Sequence, residues 1–318
     1  MEIRSNLVIG VDIGGSHISA CAINIASTIS VPLSSLKRRE VRADGEAVEI
    51  VDAWAAVVED CAGCLPNRSD WRIGIAMPGP FDYEQGISWI KGLHKFESLY
   101  EMNVRELLAL RLGIAAGQIR MMNDASAFLL GEMKAGAGRG SSRAAGVTLG
   151  TGLGSAHYYD HVLYDGDLWC TPFKLSRAED YLCSRWFLQM YESVKAYGSA
   201  SITGRQSITG VKELAMLYEE DPDVSMIFTR FGRHLAEVLL SKYPPSVQDR
   251  LIIGGNIAKA GRLFIPAALE WFREQGVAIR LHTAELGELA PLIGAAALWE
   301  EKFIDQNRGD KCQINGCL

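Results

Sequence analysis

Residues able to bind or transfer a phosphoryl group occur close to the start of the chain, in the segment Asp12-Ile13-Gly14-Gly15-Ser16. The glycines let backbone N–H groups approach an anion, because no Cβ stands in the way. Asp12 can hold Mg²⁺ through water, and Ser16 can donate a hydrogen bond to phosphate. A structural hairpin with a capping aspartate would have the same residues, so this motif alone leaves both interpretations open.

Two later glycine turns extend the same chemistry. One lies between two apolar runs and can clamp a phosphate, and the other precedes a predicted helix and can pack against a base or ribose. They comprise Gly150, Thr151, Gly152 and Gly154, and then Gly254, Gly255 and Asn256. The first is neither a Walker A loop, since no Gly-Lys-Ser/Thr follows, nor a Rossmann fingerprint, since a strand follows it. Ordinary turns remain the alternative for both.

A carboxylate stands at the end of a predicted strand in Asn123-Asp124-Ala125. An aspartate there points into the crevice outside the strand ends, where ligands of α/β proteins bind. Phosphoryl transfer needs a base that accepts the proton of the attacking hydroxyl, and Asp124 can supply it. The alternative is a helix N-cap, which contributes about 1 kcal/mol, and one residue could serve both purposes.

The elements that must position these motifs alternate between strands and helices, which is typical of an α/β protein. A third strand is expected near residues 30–33 or 40–42. The remaining strands are predicted at residues 7–12, 18–25, 72–76, 119–123, 144–149, 155–159, 250–253 and 279–283, and the helices at residues 46–64, 104–112, 125–135, 177–197, 211–219, 224–240, 263–275 and 291–303.

A strand–glycine turn–strand unit occurs at residues 7–25 and again at residues 144–159, which indicates two related lobes with a cleft between them. We expect the first lobe to span residues 1–124 and to be completed by a C-terminal helix at about 291–304. The second, larger lobe is expected at 125–290, and residues 305–318 read as a flexible tail.

The bulk composition fits this division. The chain has 318 residues, 48% of them hydrophobic and 22% charged, as in a globular protein of two domains. The net charge of −6 disfavours binding to nucleic acid. No apolar stretch is long enough to cross a membrane.

Seven cysteines are scattered through the chain, and Cys61 and Cys64 form a C-x-x-C. A zinc site would need a second pair or nearby histidines, which are not evident. Cys61 falls in a helical pattern, where cysteine is usually a small buried residue. The odd cysteine count and the absence of a secretory segment suggest the cytoplasm.

In order and identity, the motifs resemble the ROK family of bacterial sugar kinases and repressors, from residue 7 to about 303. VIGVDIGGSHISACAI and GVTLGTGLGSAHYYD are similar to its two phosphate motifs, NDASAFLLGE to its catalytic stretch, IIGGNIAKAG to its adenosine segment, and LGELAPLIGAAALW to its closing helix. The resemblance implies a two-lobed α/β actin-like ATPase (ribonuclease H-like) fold, ATP and Mg²⁺ in the cleft, and a homodimer.

The resemblance also assigns roles by position. Asp124 would be the catalytic base and Asn123 would hold sugar hydroxyls. The stretch GIAMPGPFDYEQG, with Gly79 and Pro80, resembles the segment behind the sugar site. The first two glycine motifs would face the phosphates or Mg²⁺, and Gly255 the adenosine.

The sugar half departs from the family pattern. Members usually have Glu-x-Gly-His and then a cysteine-rich zinc loop, where this chain reads DGDLWCTPFKLSRAEDYLCSR. Asp167 stands near the place of the sugar-binding Glu and Cys170 near that of the His, and we predict no zinc. Gly92 replaces a common asparagine, for which His94 or Lys91 can substitute.

Three functions are consistent with this pattern. The first is an ATP-dependent kinase for a hexose or an amino sugar, glucokinase-like or N-acetylmannosamine kinase-like, with polyphosphate left open as the donor. The second is a catalytically impaired sugar- or nucleotide-binding regulatory protein. The third is an actin-like assembly or chaperone-type ATPase, which the sugar-kinase Asn123-Asp124 pair disfavours.

Overall fold

The fold was analysed in a computed structural model, which describes residues 6–26, 36–65, 67–93, 95–197, 208–245, 248–300 and 304–305. Its strands are β1 (Leu7–Ile13), β2 (His17–Asn24), β3 (Lys37–Glu40), β4 (Ile73–Met77), β5 (Phe81–Asp82), β6 (Ile87–Ser88), β7 (Ile119–Asn123), β8 (Arg143–Leu149), β9 (Leu153–Tyr159), β10 (Val162–Asp165), β11 (Pro172–Phe173), β12 (Ser176–Arg177), β13 (Arg250–Gly254), β14 (Leu281–Thr283) and β15 (Ile304–Asp305). Its helices are α1 (Ala47–Cys61), α2 (Val104–Leu112), α3 (Asp124–Ala135), α4 (Ser184–Tyr197), α5 (Val211–Met216), α6 (Pro222–Lys242), α7 (Gly261–Glu274) and α8 (Leu289–Ala297).

Two mixed sheets form the framework. The first has the strand order β3-β2-β1-β4-β7, and the second has the order β14-β13-β8-β9-β10-β15. Each contains one of the predicted glycine-turn hairpins, β1–β2 and β8–β9, and both hairpins are antiparallel. β4 and β7 extend the first sheet in parallel from β1, and β13 and β14 extend the second in parallel from β8. The predicted repetition of the hairpin unit is therefore present.

Helices cover both faces of each sheet, which explains why the central strands are almost wholly apolar. One face of the first sheet packs on α1 and α2 around Trp54 and Leu108, and one face of the second packs on α6 and α7 around Phe231 and Phe264. The other faces of both sheets pack on α3 and α8. These two helices therefore lie between the sheets.

Glycines let α8 approach its neighbours at backbone distance. A Cβ on Gly10 of β1 would overlap the carbonyl oxygen of Leu292, and one on Gly74 of β4 would overlap that of Ala295. The contact between α3 and α8 is equally close, since a Cβ on Gly131 would overlap the Ala290 carbonyl oxygen. Because real Cβ atoms do not approach a backbone oxygen so closely, these positions exclude any larger residue.

The last helix is shorter than the sequence suggests. Prediction placed its end at 303 or 304, but α8 ends at Ala297, and Ile304–Asp305 pairs with β10 as a parallel strand. Backbone N–H groups from Leu298 to Glu300 donate to the carbonyls three residues earlier. Tertiary bonds hold this segment directly after α8: Trp299 Nε1 donates to the Ile73 carbonyl at 3.1 Å, and Arg120 donates to the Leu298 carbonyl. Residues 306–318 of the expected tail lie outside the described residues.

Other differences are local. The third strand is Lys37–Glu40, which overlaps the second expected range only at Glu40, and residues 30–33 lie outside the described residues. The helix expected at 177–197 is divided into a 3₁₀ turn at Ala178–Tyr181 and α4. The two-residue pairs β5–β6 and β11–β12 and the strand β10 were not predicted, because they are too short to show a periodicity.

An aromatic cluster around His234 of α6 holds the segment in which the ROK resemblance would place a zinc loop. The rings of Phe173, Tyr181 and Trp186 pack edge-on against its imidazole with centroids 5.4–5.5 Å away. Burial, with smaller contributions from Lys174 and Arg230, lowers the pKa of His234 to about 4. The imidazole is therefore neutral near pH 7 and acts as one more ring of an apolar core.

We predict that Gly131→Ala will destabilise the protein by about 1–3 kcal/mol, because the new Cβ must push α3 away from α8. Gly117→Ala is the matched control, since a Cβ there meets nothing within 4 Å. Denaturant unfolding of both variants measures the difference. Equal stability of the two variants would show that the helices do not pack at this distance.

Candidate active site

Asp12 and Asp124 lie at the same edge of the first sheet. Asp12 pairs with Ala76 of β4, which pairs in turn with Met122 of β7, and Asp124 follows β7 as the first residue of α3. The three strands are parallel, so their carboxyl ends meet at this edge. Asp12 also lies two residues after Gly10, on the face of β1 that packs on α8.

The two carboxyl groups influence each other. The pKa of Asp12 is raised to about 7, chiefly by burial, with smaller contributions from the charges of Asp124 and Glu288 and an opposing one from Arg38. Asp12 keeps some accessible surface, so the desolvation comes from the protein atoms that surround its carboxyl. Burial also raises the pKa of Asp124, while the charge of Lys95 and the Ala125 backbone N–H lower it.

Asn123 is the N-cap of α3. Its Oδ1 accepts hydrogen bonds from the backbone N–H groups of Ala125 at 2.9 Å and Ser126 at 3.2 Å. Its Nδ2 donates to the Tyr83 hydroxyl at 3.3 Å. Asp124 is the first helical residue, and its Oδ1 accepts from the Ala125 N–H at 2.8 Å. The capping role that sequence analysis offered for Asp124 thus belongs mainly to its neighbour.

The first glycine turn and Asp124 are both near the side chain of Lys95. Gly15 and Ser16 are exposed, and the Gly14 N–H donates to the His17 carbonyl at 2.9 Å. A Cβ on Gly15 would lie 3.6 Å from Cδ of Lys95, the same lysine whose charge acts on Asp124. The exposed turn, the lysine and the carboxylate therefore face one space.

The second turn approaches the start of α3. A Cβ on Gly154 would lie 2.9 Å from the Cβ of Ala125, directly after Asp124. Within the turn, the Gly150 N–H donates to the Gly152 carbonyl at 3.0 Å, and Thr151 is exposed.

Glu179 braces this second turn. Its Oε2 accepts from the Leu153 N–H at 3.0 Å. The same oxygen would lie 2.8 Å from a Cβ on Gly152.

The third turn packs on the second. Gly255 has φ +87, and a Cβ there would overlap the backbone of Leu149, the last residue of β8. A Cβ on Gly254 would overlap the ring of Phe128 on α3. Both positions require glycine for close approach, and exposed Asn256 follows them. The structure thus groups all three turns around the first turns of α3.

The residues expected on the sugar side are only partly described. His94 lies outside the described residues, and Nζ of exposed Lys91 lies 4.8 Å from the centroid of the Tyr100 ring. Gly79 lies beside the Asn123 side chain, since a Cβ on it would be 3.3 Å from the Tyr83 hydroxyl.

Pro80, which follows Gly79, is exposed. The hydroxyl of Tyr83 donates to the Met77 carbonyl at 2.9 Å. Tyr83 therefore ties this segment to the end of β4.

Asp167 occupies a tight turn next to another carboxylate. Its backbone is left-handed, with φ +46, and its N–H donates to Oδ1 of Asp165 at 3.1 Å. The pKa of Asp165 is raised to about 6, chiefly by burial. The hydrogen bond from the Asp167 N–H opposes this rise, and the charges of Asp167 and Asp124 contribute to it. The Asp167 carbonyl accepts from Cys170 Sγ and Thr171 Oγ1, both at 3.3 Å. Asp167, which the sequence places near the position of the family's sugar-binding Glu, therefore lies in the same electrostatic surroundings as Asp124.

Comparison with known proteins bears on this arrangement. The sequence pattern of the ROK family matches residues 8–168. The chain belongs to the ROK family. Glucokinase of Thermotoga maritima is 31% identical to this ROK protein over 147 residues, which are 46% of this chain and 43% of the glucokinase. The match thus covers less than half the length of that curated relative.

Solved structures confirm the predicted α/β, two-lobed actin-like fold. A ROK family glucokinase from Streptomyces griseus, crystallised with glucose and AMPPNP, superposes with a TM-score of 0.70 at 22% identity and covers 92% of this chain and 98% of its own. A ROK family transcriptional regulator, a homologue of the E. coli MLC protein, gives a TM-score of 0.72 at 14% identity, covering 91% and 76%.

The described residues of the ROK protein contain no group of three or more His, Cys, Asp or Glu side chains placed to hold a metal ion. Mg²⁺ does not need such a cage, because one or two carboxylates with substrate phosphates and water suffice. Asp12 suits this role, because its carboxyl is desolvated and lies near the carboxyl groups of Asp124 and Glu288. A bound cation would stabilise the charged form of Asp12.

Cys61 is buried at the end of α1. None of the helices within the described ranges could cross a membrane.

Sequence reasoning missed four residues of this site: Lys95, Tyr83, Asp165 and Glu179. Tyr83, Asp165 and Glu179 fall within stretches compared with the ROK family but were not singled out there. Lys95 has no motif of its own, and only tertiary structure brings these residues to the turns. Asp165 had one usable signal, its position two residues before Asp167.

We predict that Asp12→Asn will stabilise the metal-free protein at alkaline pH. The native Asp12 titrates near 7, whereas an unfolded aspartate titrates at about 3.9, so native stability falls as the pH rises between these values. Unfolding in EDTA should show little difference between variant and wild type near pH 4 and a gain of about 4 kcal/mol near pH 8. Asp44→Asn, at an exposed position, is the control, and an equal gain there would refute the desolvation of Asp12.

Proposed function

We propose that this ROK protein is an ATP-dependent sugar kinase with Asp124 as its catalytic base. The observation that carries the proposal is the convergence of three glycine turns on the start of α3, where Asp124 shares its surroundings with Asp12 and Lys95. Phosphoryl transfer depends on positioning and charge neutralisation with a base at hand. The glucokinase relative and the glucose- and AMPPNP-bound neighbour support a hexose or an amino sugar as the acceptor.

The proposed roles follow the geometry. The turns at Gly14, Gly15 and Ser16 and at Gly150, Thr151, Gly152 and Gly154 receive the phosphates, and Gly254, Gly255 and Asn256 receive the adenosine. Asp12 orients Mg²⁺ through water. When bound, the metal ion supplies positive charge to the phosphate oxygens.

On the acceptor side, Asn123 and Asp167 bind sugar hydroxyls, with His94 and the Gly79–Pro80 segment beside them. Asp124 accepts the proton of the attacking hydroxyl as that oxygen bonds to the γ-phosphorus and the bond to the bridging oxygen breaks, which releases ADP. Burial raises the pKa of Asp124 and so favours its protonated form, and the charge of Lys95 opposes this by favouring the carboxylate that accepts a proton.

The lobes and the assembly belong to the same proposal. The first lobe comprises residues 1–124, completed by the C-terminal helix at about 291–304, and the second comprises residues 125–290. The packing of the α8 backbone on β1 and β4 supports this division. We further propose a homodimer in the cytoplasm that binds neither nucleic acid nor zinc.

We predict that Asp124→Asn will abolish turnover and leave ATP binding intact. A coupled assay with ATP, Mg²⁺ and a panel of hexoses and amino sugars should show turnover for wild type and a loss of roughly 100-fold or more in the variant. Asp223→Asn is the matched control, because Asp223 also lies in the first turn of a helix. Equal turnover in both variants would remove Asp124 as the base.

We predict that Lys95→Met will shift the acid limb of the kcat/KM profile to higher pH by about one unit, because the carboxylate of Asp124 loses its cation. Lys95→Arg should restore the wild-type profile. Lys212→Met is the control, since Lys212 is an exposed lysine of α5. An unshifted profile in Lys95→Met would contradict the placement of this lysine.

A regulatory function is the second candidate. The departures from the family pattern at Asp167 and Cys170, together with the fold of the transcriptional regulator, favour it. Calorimetry separates the two candidates: sugar binding without phosphoryl transfer to any acceptor supports the regulator, and product formation supports the kinase.

A further inference from the structure

A polar cavity lies at one edge of the second sheet. The glycine turns at Gly150 and Gly254 lie at the opposite edge of that sheet. The cavity has a volume of about 310 Å³ and is lined by residues 140–142 and by Asp249, Arg250, Arg280 and His282. Arg250 begins β13, whereas the turn at Gly254–Gly255 ends it. The parallel strands β8, β13 and β14 all start at this edge, so the cavity is separate from the proposed active site.

The cationic side chains of this cavity come from one face of the sheet. Ile252 of β13 pairs with His282 of β14. Because side chains alternate along a strand, Arg250, Arg280 and His282 project from the same face. The guanidinium of Arg250 donates to the carbonyl of Ala137, just beyond α3, which fixes its position at the cavity wall.

Positive charge is in excess in this cavity. Asp249 is its only acidic residue among the described lining residues, and Oδ1 of Asp249 accepts from Nη2 of Arg143 at 2.6 Å. That ion pair leaves the charges of Arg250 and Arg280 without a carboxylate partner among the described residues. The Arg280 side chain is exposed and free to reach a ligand.

The positive charges of Arg250 and Arg280 act on His282. Its Nε2 is buried and has no hydrogen-bond partner among the described residues. Burial chiefly lowers the pKa of His282, Arg250 and Arg280 lower it further, and Glu285 opposes them. An anion in the cavity would offer this nitrogen an acceptor and offset the two guanidinium charges.

We propose that this cavity is a second binding site, for phosphate dianion either free or as the phosphate group of a small monoester. Guanidinium groups match phosphate oxygens with two parallel hydrogen bonds. The hydroxyl of Ser142 and the imidazole N–H can donate further hydrogen bonds to the anion, whereas the Ser141 hydroxyl already donates to the Arg143 carbonyl at 2.9 Å. This site goes beyond the proposed kinase function and does not depend on it, because it uses none of the residues of that site.

An NMR titration tests the proposal in the full chain. The His282 imidazole resonance, assigned by its loss in His282→Gln, should move when inorganic phosphate or glucose 6-phosphate is added. Arg280→Ala should weaken binding by roughly 10-fold or more through loss of a charge-assisted pair. Arg273→Ala, an exposed arginine of α7, should bind as wild type does.

The two ligands distinguish the sources of phosphate. Tighter binding of glucose 6-phosphate would identify a monoester as the ligand, and equal binding would identify free phosphate. A stationary His282 resonance in wild type, or unchanged affinity in Arg280→Ala, would overturn the proposal. Because the resonance reports on the cavity itself, product binding in the kinase site cannot imitate the expected result.

Discussion

The contact between α8 and its neighbours determines the geometry of the candidate site. Gly10 and Gly74 admit the backbone of α8 to the first sheet, and Gly131 admits it to α3. Asp12 follows Gly10 on the same face of β1, and Asp124 begins the helix that contains Gly131. A larger residue at any of these glycines would move one carboxylate relative to the other. Backbone packing of small residues therefore positions the acids, while the acids contribute nothing to that packing.

This arrangement destabilises the charged forms of the carboxyl groups at the site. Asp12, Asp124 and Asp165 all have a pKa raised mainly by burial, and Lys95 opposes the effect at Asp124. Raised pKa values of this kind are typical of functional sites. A core of the same shape without these acids would be more stable, which is the usual relation between stability and activity.

Local sequence predicted much of the fold and the three glycine turns, whose role in binding a nucleotide is a proposal. The hairpins at Gly14 and Gly150, the strand before Asp124 and the turn at Gly255 all have motifs whose backbone requirement is visible in the residue types. Lys95 and Asp165 have no such requirement, because their roles arise from tertiary proximity to Asp124. The end of the last helix was wrong for the same reason, since Trp299 and its partner on β4 are distant in sequence.

The central claim is that the glycine turns at Gly15 and Gly152, together with Asp124, enclose the reacting phosphate. A crystal structure with a non-hydrolysable ATP analogue, Mg²⁺ and the acceptor sugar measures this most directly. The account predicts the γ-phosphate between the turns at Gly15 and Gly152, with an acceptor hydroxyl within hydrogen-bonding distance of the Asp124 carboxylate. A nucleotide bound elsewhere, or an acceptor hydroxyl out of reach of Asp124, would contradict it.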